Sequence, residues 1–321
     1  MNNQFKKTLL VFCTIAMLSF YVSSLQAYVL QGRHVLDLVI EKLGRADTLF
    51  VSENLIFYRM AGAVDEQGPA TETDTIATVN TAADDMPAVQ KLEASQEAPA
   101  METLEFEGTL RYVFERAFRS DARSPDSERI HVAAAGRTLT IIDGSIVPDA
   151  VSRFNLFKDI LFYRSREAFA ERLLQLGIDV SISSLGRFED KTAFVLGANY
   201  PDESVNQLWV DKDTLLPLRL IIRGVAGADN SDKVEIRYLI WWKIGKTQYP
   251  SRIEFYQEDD LVRVSQANNF EVDATFSEEL FNIDRLTTMY PRAPLQPITT
   301  QPAAEPSEIQ KTIEDFKRIF E

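Results

Sequence analysis

The chain has almost no cysteine and almost no histidine, and each absence excludes some chemistry. Its 321 residues contain one cysteine, Cys13, and two histidines, His34 and His131. Cys13 lies in a hydrophobic N-terminal segment, so a chain processed after that segment has no thiol for a disulfide, for catalysis or for a metal site. Two scattered histidines fall short of the about three protein ligands usual at a catalytic zinc ion, and they offer little general-base chemistry. We therefore predict that the protein is not an enzyme and needs no metal or cofactor.

Excess positive charge is also missing from the chain. It has 34 basic and 48 acidic residues, a formal net charge of −14 at pH 7. Such an acidic chain is a poor nucleic-acid binder, and anionic lipid surfaces should repel it. We expect no glycosidase site, because its adjacent carboxylates fall at turns and helix starts, where acids face solvent: Asp259-Asp260, Glu278-Glu279 and Glu314-Asp315.

Long hydrophobic runs are confined to the N-terminus, which has the pattern of a signal peptide. Lys6 and Lys7 precede an apolar core from Leu9 to about Val22, and Ala27 offers a small residue for cleavage. The core is shorter than the ~20 residues of a membrane span. We predict cleavage and export to the periplasm, with no stable membrane span afterwards. An uncleaved N-terminal anchor is the alternative interpretation.

Apolar residues alternate with polar ones over unusually long stretches of the chain. Because successive side chains of a strand point to opposite faces, this pattern predicts a sheet with one apolar face. Helical spacing appears before the first strands and again in a central pair. The order of helix, strands, helix pair and many strands favours an α+β fold with one large, curved, mostly antiparallel sheet covering a few helices. The alternation is clearest in residues 104–118 and 234–244.

The composition changes along the chain in ways that predict its domain organisation. Residues 63–102 are rich in small, acidic and Pro residues and too poor in apolar ones to fold, so we predict a disordered acidic insertion. We predict one folded domain around this insertion. The segments are a signal peptide (1–27), the start of the folded domain (28–62), the insertion (63–102), the remainder of the folded domain (103–290), a Pro-rich tether (291–306) and a C-terminal amphipathic helix (307–321).

Three short phrases carry a resemblance to a known family. Gln207–Arg219 reads as a strand ending in Trp-Val-Asp, a short turn and a Pro-led return strand, and Tyr249–Phe255 and Phe281–Asp284 follow in the familiar order. The chain resembles the LolA/LolB-like periplasmic lipoprotein-carrier superfamily, and also RseB-like and other lipid-binding half-barrels. The resemblance implies a half-open barrel that holds acyl chains between its concave sheet and its helices. The acidic insertion and the C-terminal helix depart from the usual pattern.

The resemblance and the alternation together predict which side chains contact a ligand. The residues expected to line the hollow are Phe106, Leu110, Tyr112, Phe114, Leu218, Leu220, Ile222, Tyr238, Ile240, Trp242 and Phe255. The residues expected to form a lid are Phe154, Phe157, Leu161 and Phe162. Ordinary core packing is the alternative for each of these side chains.

Two functions remain open at this point. The first is a periplasmic carrier or binder of a lipid or an acylated protein, with a role in transport within the cell envelope. The second is a regulatory or scaffold protein of the envelope that binds another protein. A C-terminal stripe suits this second function, since an amphipathic helix can dock in a partner's groove: Ile309, Ile313, Phe316 and Phe320.

Overall fold

The structure is a computed structural model that describes residues 30–60, 101–148, 153–224 and 233–293. The predicted signal peptide, tether and C-terminal helix lie outside these ranges, apart from residues 291–293, and so does the insertion, apart from residues 101–102. Within the described ranges, no helix has both the length and the apolar character needed to cross a membrane.

Four α-helices and thirteen strands form the described part of the chain. The helices are α1 (Gly32–Leu43), α2 (Phe157–Phe162), α3 (Arg166–Gln175) and α4 (Ile283–Met289), with 3₁₀ turns at Arg153–Leu156 and Glu278–Phe281. The strands are β1 (Thr48–Met60), β2 (Met101–Val113), β3 (Ala117–Arg123), β4 (Glu128–Ala134), β5 (Arg137–Ile142), β6 (Ser145–Val147), β7 (Ser183–Phe188), β8 (Lys191–Leu196), β9 (Gln207–Asp211), β10 (Pro217–Arg223), β11 (Lys233–Ile244), β12 (Thr247–Gln257) and β13 (Asp260–Val272).

All thirteen strands belong to one antiparallel sheet with a simple topology. The spatial order is β6-β5-β4-β3-β2-β1-β13-β12-β11-β10-β9-β8-β7. The chain runs from the centre of the sheet to the β6 edge, crosses to the β7 edge through α2 and α3, and returns strand by strand until β13 pairs with β1. The predicted α+β fold with one large, open, curved sheet is confirmed.

The first half of the sheet contains more strands than the sequence pattern predicted. The alternation and turn residues between Leu104 and Val147 predict about three strands, and the structure has β2 to β6 there. Glu115, Ala135 and Asp143 adopt positive φ angles of 61°, 50° and 49°, so each connection reverses the chain within a few residues. Strand β2 also begins at Met101, two residues inside the predicted insertion.

Helix α1 forms because its apolar residues recur at helical spacing on one face. Its buried positions include Val35, Leu36, Val39 and Leu43. Gly44 ends the helix with φ of +93°, and a Cβ there would lie 2.2 Å from the carbonyl oxygen of Lys246. The glycine therefore lets the end of α1 touch the β11–β12 turn directly.

The two faces of the sheet are covered differently. We call the face packed against α1, α2 and α3 the inner face, and the opposite one the outer face. Helix α4 covers part of the outer face, where Ile283 and Leu286 pack with Ile141 and its neighbours on β4 and β5. A separate outer cluster around Trp209 lies at the other end of the sheet. The inner face carries the largest apolar cluster and positions the candidate site.

Candidate functional site

The structure brings most of the predicted lining residues together on the inner face. They come from four strands and share one continuous buried cluster with residues of the helices. Their alternation on each strand holds them on the same side of the sheet. These residues are Leu110, Tyr112, Phe114, Leu220, Ile222, Tyr238 and Phe255.

Two of the predicted lining residues lie elsewhere, and local backbone irregularities explain why. Leu218 packs on the outer face with Trp209, because the β9–β10 register shifts between Pro217 and Arg219 and reverses the side-chain parity. Ile240 has φ of 52° and its side chain is 63% exposed, so it points away from the inner cluster.

The remaining two predicted lining residues lie near the margins of the inner face. Trp242 is 37% exposed and stacks on Phe270, with ring centroids 6.1 Å apart. Phe106 is buried in a second, smaller inner-face cluster, where its ring meets that of Phe57 edge-on at 5.5 Å. The inner face therefore has a main apolar cluster and a second apolar cluster.

The predicted lid lies inside the half-barrel rather than over its mouth. We call residues 153–162, the 3₁₀ turn and α2, the plug. Phe154, Phe157 and Leu161 are buried, whereas Phe162 is partly buried. The rings of Phe154 and Phe157 meet Phe255 of β12 edge-on, at 5.9 and 5.7 Å. The plug thus covers the predicted lining residues with aromatic side chains.

A few polar contacts hold the plug in place. The Tyr238 hydroxyl donates a hydrogen bond to the carbonyl oxygen of Phe157 at 3.2 Å. At the α2–α3 corner, one Glu115 carboxylate oxygen accepts the backbone N–H groups of Arg164 and Ser165 at 2.9 and 2.6 Å. Burial would raise the pKa of Glu115, but these N–H groups outweigh it and lower that pKa below its usual value. The corner is therefore fastened to the β2–β3 turn by a charged group.

Polar residues separate the two apolar clusters of the inner face. Along β1, the buried Glu53 lies between Val51 of the main cluster and Leu55 of the second. The residue that pairs with Glu53 on β2 is Gly108. A Cβ on Gly108 would lie 2.8 Å from the Glu53 side chain, so the glycine makes room for this carboxylate. We call this boundary the polar belt.

Glu53 and Arg263 are the charged centre of the polar belt. The Ser265 hydroxyl donates to Glu53. Burial raises the pKa of Glu53, although attraction to Arg263 and the Ser265 hydrogen bond oppose it. Burial lowers the pKa of Arg263 to about 10, and its guanidinium lies 4.5 Å from the Phe255 ring centroid and 5.9 Å from that of Phe157. The plug therefore covers a buried cation as well as apolar side chains.

His131 lies on the same face, deeper under the plug. Its Nδ1 is 3.0 Å from the Thr140 hydroxyl. Burial lowers the pKa of His131 well below its usual value, and the nearby Arg129 and Lys158 lower it further. The ring is accordingly neutral near pH 7 and acts as a hydrogen-bonding core residue.

Several inner-face polar atoms lack a hydrogen bond of good geometry among the described residues. They are the hydroxyls of Tyr112 and Tyr249, which interact with each other, together with Glu53 Oε1 and Arg263 Nε. Burial raises the pKa of both tyrosines, so both hydroxyls keep their protons. The two hydroxyls and the Arg263 N–H are donors, which suit the oxygen atoms of an ester, a carboxylate or a phosphate.

Sequence reasoning missed the polar belt, although β1 contained a signal. The positions Leu49, Val51, Leu55 and Phe57 give its odd-numbered residues an apolar pattern, and Glu53 is the exception. A charged residue in the apolar register of a strand indicates a buried charge that needs a partner. Its hydrogen-bond partner Ser265 and the attracting charge of Arg263 both come from β13, far along the chain, so only the β1–β13 pairing shows them.

Comparisons with solved structures find similar folds. A LolA superfamily protein from Nitrosomonas europaea is 12% identical, covers 79% of this chain and 99% of its own, and gives a TM-score of 0.47. A DUF1329 family protein from Desulfovibrio piger is 13% identical over 80% of this chain and 99% of its own, with a TM-score of 0.44. An outer-membrane lipoprotein-sorting protein domain from Vibrio parahaemolyticus is 10% identical over 79% of this chain and 97% of its own, with a TM-score of 0.43.

Sequence comparison gives no match, either to a protein-family model or to a curated protein. The likeness to these solved structures, at 10–13% identity and TM-scores of 0.43–0.47, concerns the fold alone.

Proposed function

We propose that the protein is a periplasmic carrier or binder of lipid or acylated protein, exported by its N-terminal signal. Acyl chains are held non-covalently between the inner face and the helices, in the space that the plug occupies here. The observation that carries this proposal is the plug itself, a short segment whose Phe154 and Phe157 rings rest on Phe255. Such a function needs no catalytic group.

The energetics of exchanging the plug for a ligand support reversible binding. The buried side chains of the plug are Phe154, Phe157, Ile160 and Leu161. Exposing them costs about 6–12 kcal/mol, at about 1.5–3 kcal/mol each. Burying one sixteen-carbon acyl chain returns roughly 11 kcal/mol, at about 0.8 kcal/mol per CH₂. The free energy gained by burying one acyl chain therefore about equals the cost of exposing the plug. Two chains gain more than this cost, so we expect a diacylated ligand.

The polar belt supports a ligand that carries oxygen atoms close to its acyl chains. Tyr112, Tyr249 and Arg263 offer buried donor groups on the inner face. A lipid entering the hollow can accept hydrogen bonds from them through its ester or headgroup oxygens, which a simple hydrocarbon cannot do. This arrangement favours acyl lipids over unfunctionalised apolar molecules.

The test is native mass spectrometry of the exported chain, recovered gently from the periplasm and then offered probes. The probes are a diacylated lipopeptide and a lysophospholipid with one acyl chain. We expect co-purified acyl adducts or stoichiometric uptake of the lipopeptide, and weaker uptake of the lysophospholipid. If the chain carries no adduct and takes up neither probe, the inner face is an ordinary hydrophobic core and the proposal is wrong.

A further inference from the structure

The β11–β12 hairpin ends in an exposed apolar tip. Its even-numbered residues Ile240, Trp242 and Ile244 are 63%, 37% and 45% exposed. Large apolar side chains are usually buried, and exposed ones usually occur singly on a protein surface. Here three exposed ones occupy alternate positions of the same strand. We call residues 240–246 the tip.

The tip extends beyond the neighbouring strands of the sheet. Strand β10 pairs with β11 only through Arg237, and β13 pairs with β12 only from Arg252 onward. Strands β11 and β12 continue to pair with each other as far as Ile244 and Thr247. The tip is therefore the end of a two-stranded ribbon, where no other described strand pairs with β11 or β12.

Helix α1 holds the ribbon in a fixed position. The Gln248 side-chain amide donates to the carbonyl oxygen of Lys42 at 3.0 Å. Gly44 contacts the backbone of Lys246 so closely that a Cβ would lie 2.2 Å from its carbonyl oxygen. The apolar side chains are thus presented by a braced element rather than by a loose loop.

Basic residues surround the tip in an otherwise acidic protein. Lys243 and Lys246 on the tip, and Lys42 and Arg45 at the end of α1, are exposed and form no ion pair with any described residue. They line an open cleft of about 1330 Å³. The cleft contains seven basic and five acidic side chains, whereas the whole chain has a net charge of −14.

We propose that the tip docks the protein on a membrane surface that contains anionic phospholipid. Trp and Ile side chains enter the boundary between headgroups and acyl chains, and the lysines bind lipid phosphates. A membrane fits better than a protein partner, because three side chains on a narrow ribbon offer little of the roughly 800 Å² per partner that a stable protein interface buries. The net charge of the chain predicted repulsion, but the local charge at the tip has the opposite sign.

Docking in this way also orients the hollow. The same cleft is lined by Phe114 of the main cluster and by Arg164 of the α2–α3 corner, two residues beyond the plug. A membrane in contact with the tip therefore faces the margin of the plug. The inference goes beyond the proposed function, since docking does not require that the hollow hold a lipid.

The test is cosedimentation of the exported chain with vesicles of phosphatidylcholine, with and without phosphatidylglycerol. The variants are Lys243→Glu with Lys246→Glu, and Ile240→Asn with Ile244→Ser. Asn tolerates the positive φ at position 240, so the second variant keeps the backbone. We expect binding to the anionic vesicles that falls ~25-fold or more in the lysine variant, at about fivefold per lysine, and at least tenfold in the isoleucine variant.

Matched controls alter the same residue types at distant exposed positions. Leu174→Ser on α3 removes a side chain that is 65% exposed, and Lys212→Glu reverses a charge in the β9–β10 turn. Both should bind like the unaltered chain. Equal losses in the controls, unchanged binding in the tip variants, or no binding to either vesicle would overturn the proposal, as would a dimer that the isoleucine variant abolishes. Native mass spectrometry of lipopeptide uptake by the lysine variant tests separately whether the hollow binds acyl chains, because this binding does not depend on docking to a membrane.

Discussion

Truncation of Phe157 distinguishes a displaceable plug from an ordinary core. The Phe157 ring packs on Phe255 at 5.7 Å and on Phe118 at 6.3 Å, and its carbonyl oxygen accepts the Tyr238 hydroxyl. In an ordinary core, Phe157→Ala only destabilises the protein. If a ligand must first displace the plug, the same variant should bind that ligand more tightly, because less packing opposes its entry.

The magnitude follows from the packing of the ring. A buried Phe→Ala substitution costs about 3–5 kcal/mol. Where that cost falls on the plugged state alone, the population of the open state rises by a factor of roughly 100 or more, and the apparent dissociation constant falls by up to the same factor until the open state dominates. The unfolding free energy of the ligand-free chain should fall by about 3 kcal/mol. Loss of stability should thus accompany gain of affinity.

The assay is a pair of measurements on each variant. Urea denaturation gives the unfolding free energy, and fluorescence titration with a dansyl-labelled diacylated lipopeptide gives the affinity. Tyr238→Phe is a milder second variant, since it removes only the hydrogen bond to the plug and should cost about 0.5–1.5 kcal/mol. It should raise affinity in the same direction and by a smaller factor.

The matched control is Trp209→Ala on the outer face. Trp209 is as fully buried as Phe157 but belongs to a cluster that does not contact the plug. The substitution should lower stability by a similar amount, about 3–5 kcal/mol, and leave lipopeptide affinity unchanged. Equal or weaker lipopeptide binding by Phe157→Ala would refute displacement of the plug.

Three further predictions concern the polar belt and the plug corner. Because its folded-state pKa is raised, Glu53 binds protons more tightly in the folded chain, so stability should decline as pH rises above the ordinary value of 4.5; Glu53→Gln should flatten that decline in urea titrations across pH. Glu115 has a lowered pKa, so its contribution to stability is present above pH 4.5 and is lost as pH falls through the folded-state pKa. Lipopeptide affinity should therefore be higher below that pKa than at neutral pH, and Glu115→Gln should bind the lipopeptide equally at neutral and at acidic pH. Gly108→Val should cost about 1–3 kcal/mol by clashing with Glu53, and a double variant with Glu53→Ala should recover part of that loss; independent, additive losses would contradict the contact.

The alternation of apolar residues was enough to predict the fold class and much of the inner face. Leu110 and Tyr112 of β2 and Phe114 just after it alternate along the chain and are buried together. Strand parity places such residues on one face whatever the order of the strands. The same rule places Leu220, Ile222 and Phe255 on the inner face for the same reason.

The rule failed where the backbone departs from regular strand geometry. The register shift beside Leu218 turns its side chain to the outer face, and the positive φ of Ile240 turns that residue into solvent. Periodicity alone cannot find either irregularity, because Leu218 and Ile240 both keep the apolar pattern of their strands; only Pro217, beside Leu218, is a local signal. The pattern likewise predicted too few strands between Leu104 and Val147, although Gly136 and Asp143-Gly144 mark two of the connections there.

The sequence by itself determined the chemistry that is excluded, the strand periodicity and the apolar side of each strand, since all three depend on residue types and local spacing. Only the tertiary structure decided what those strands enclose. The pairing of β1 with β13 brings Ser265 to Glu53 across 212 residues of chain, and the crossover through α2 places Phe157 over Phe255. The same folding sets Lys42 of α1 beside the β11–β12 ribbon. Contacts between distant segments depend on how the whole chain packs, and local sequence preferences do not encode them.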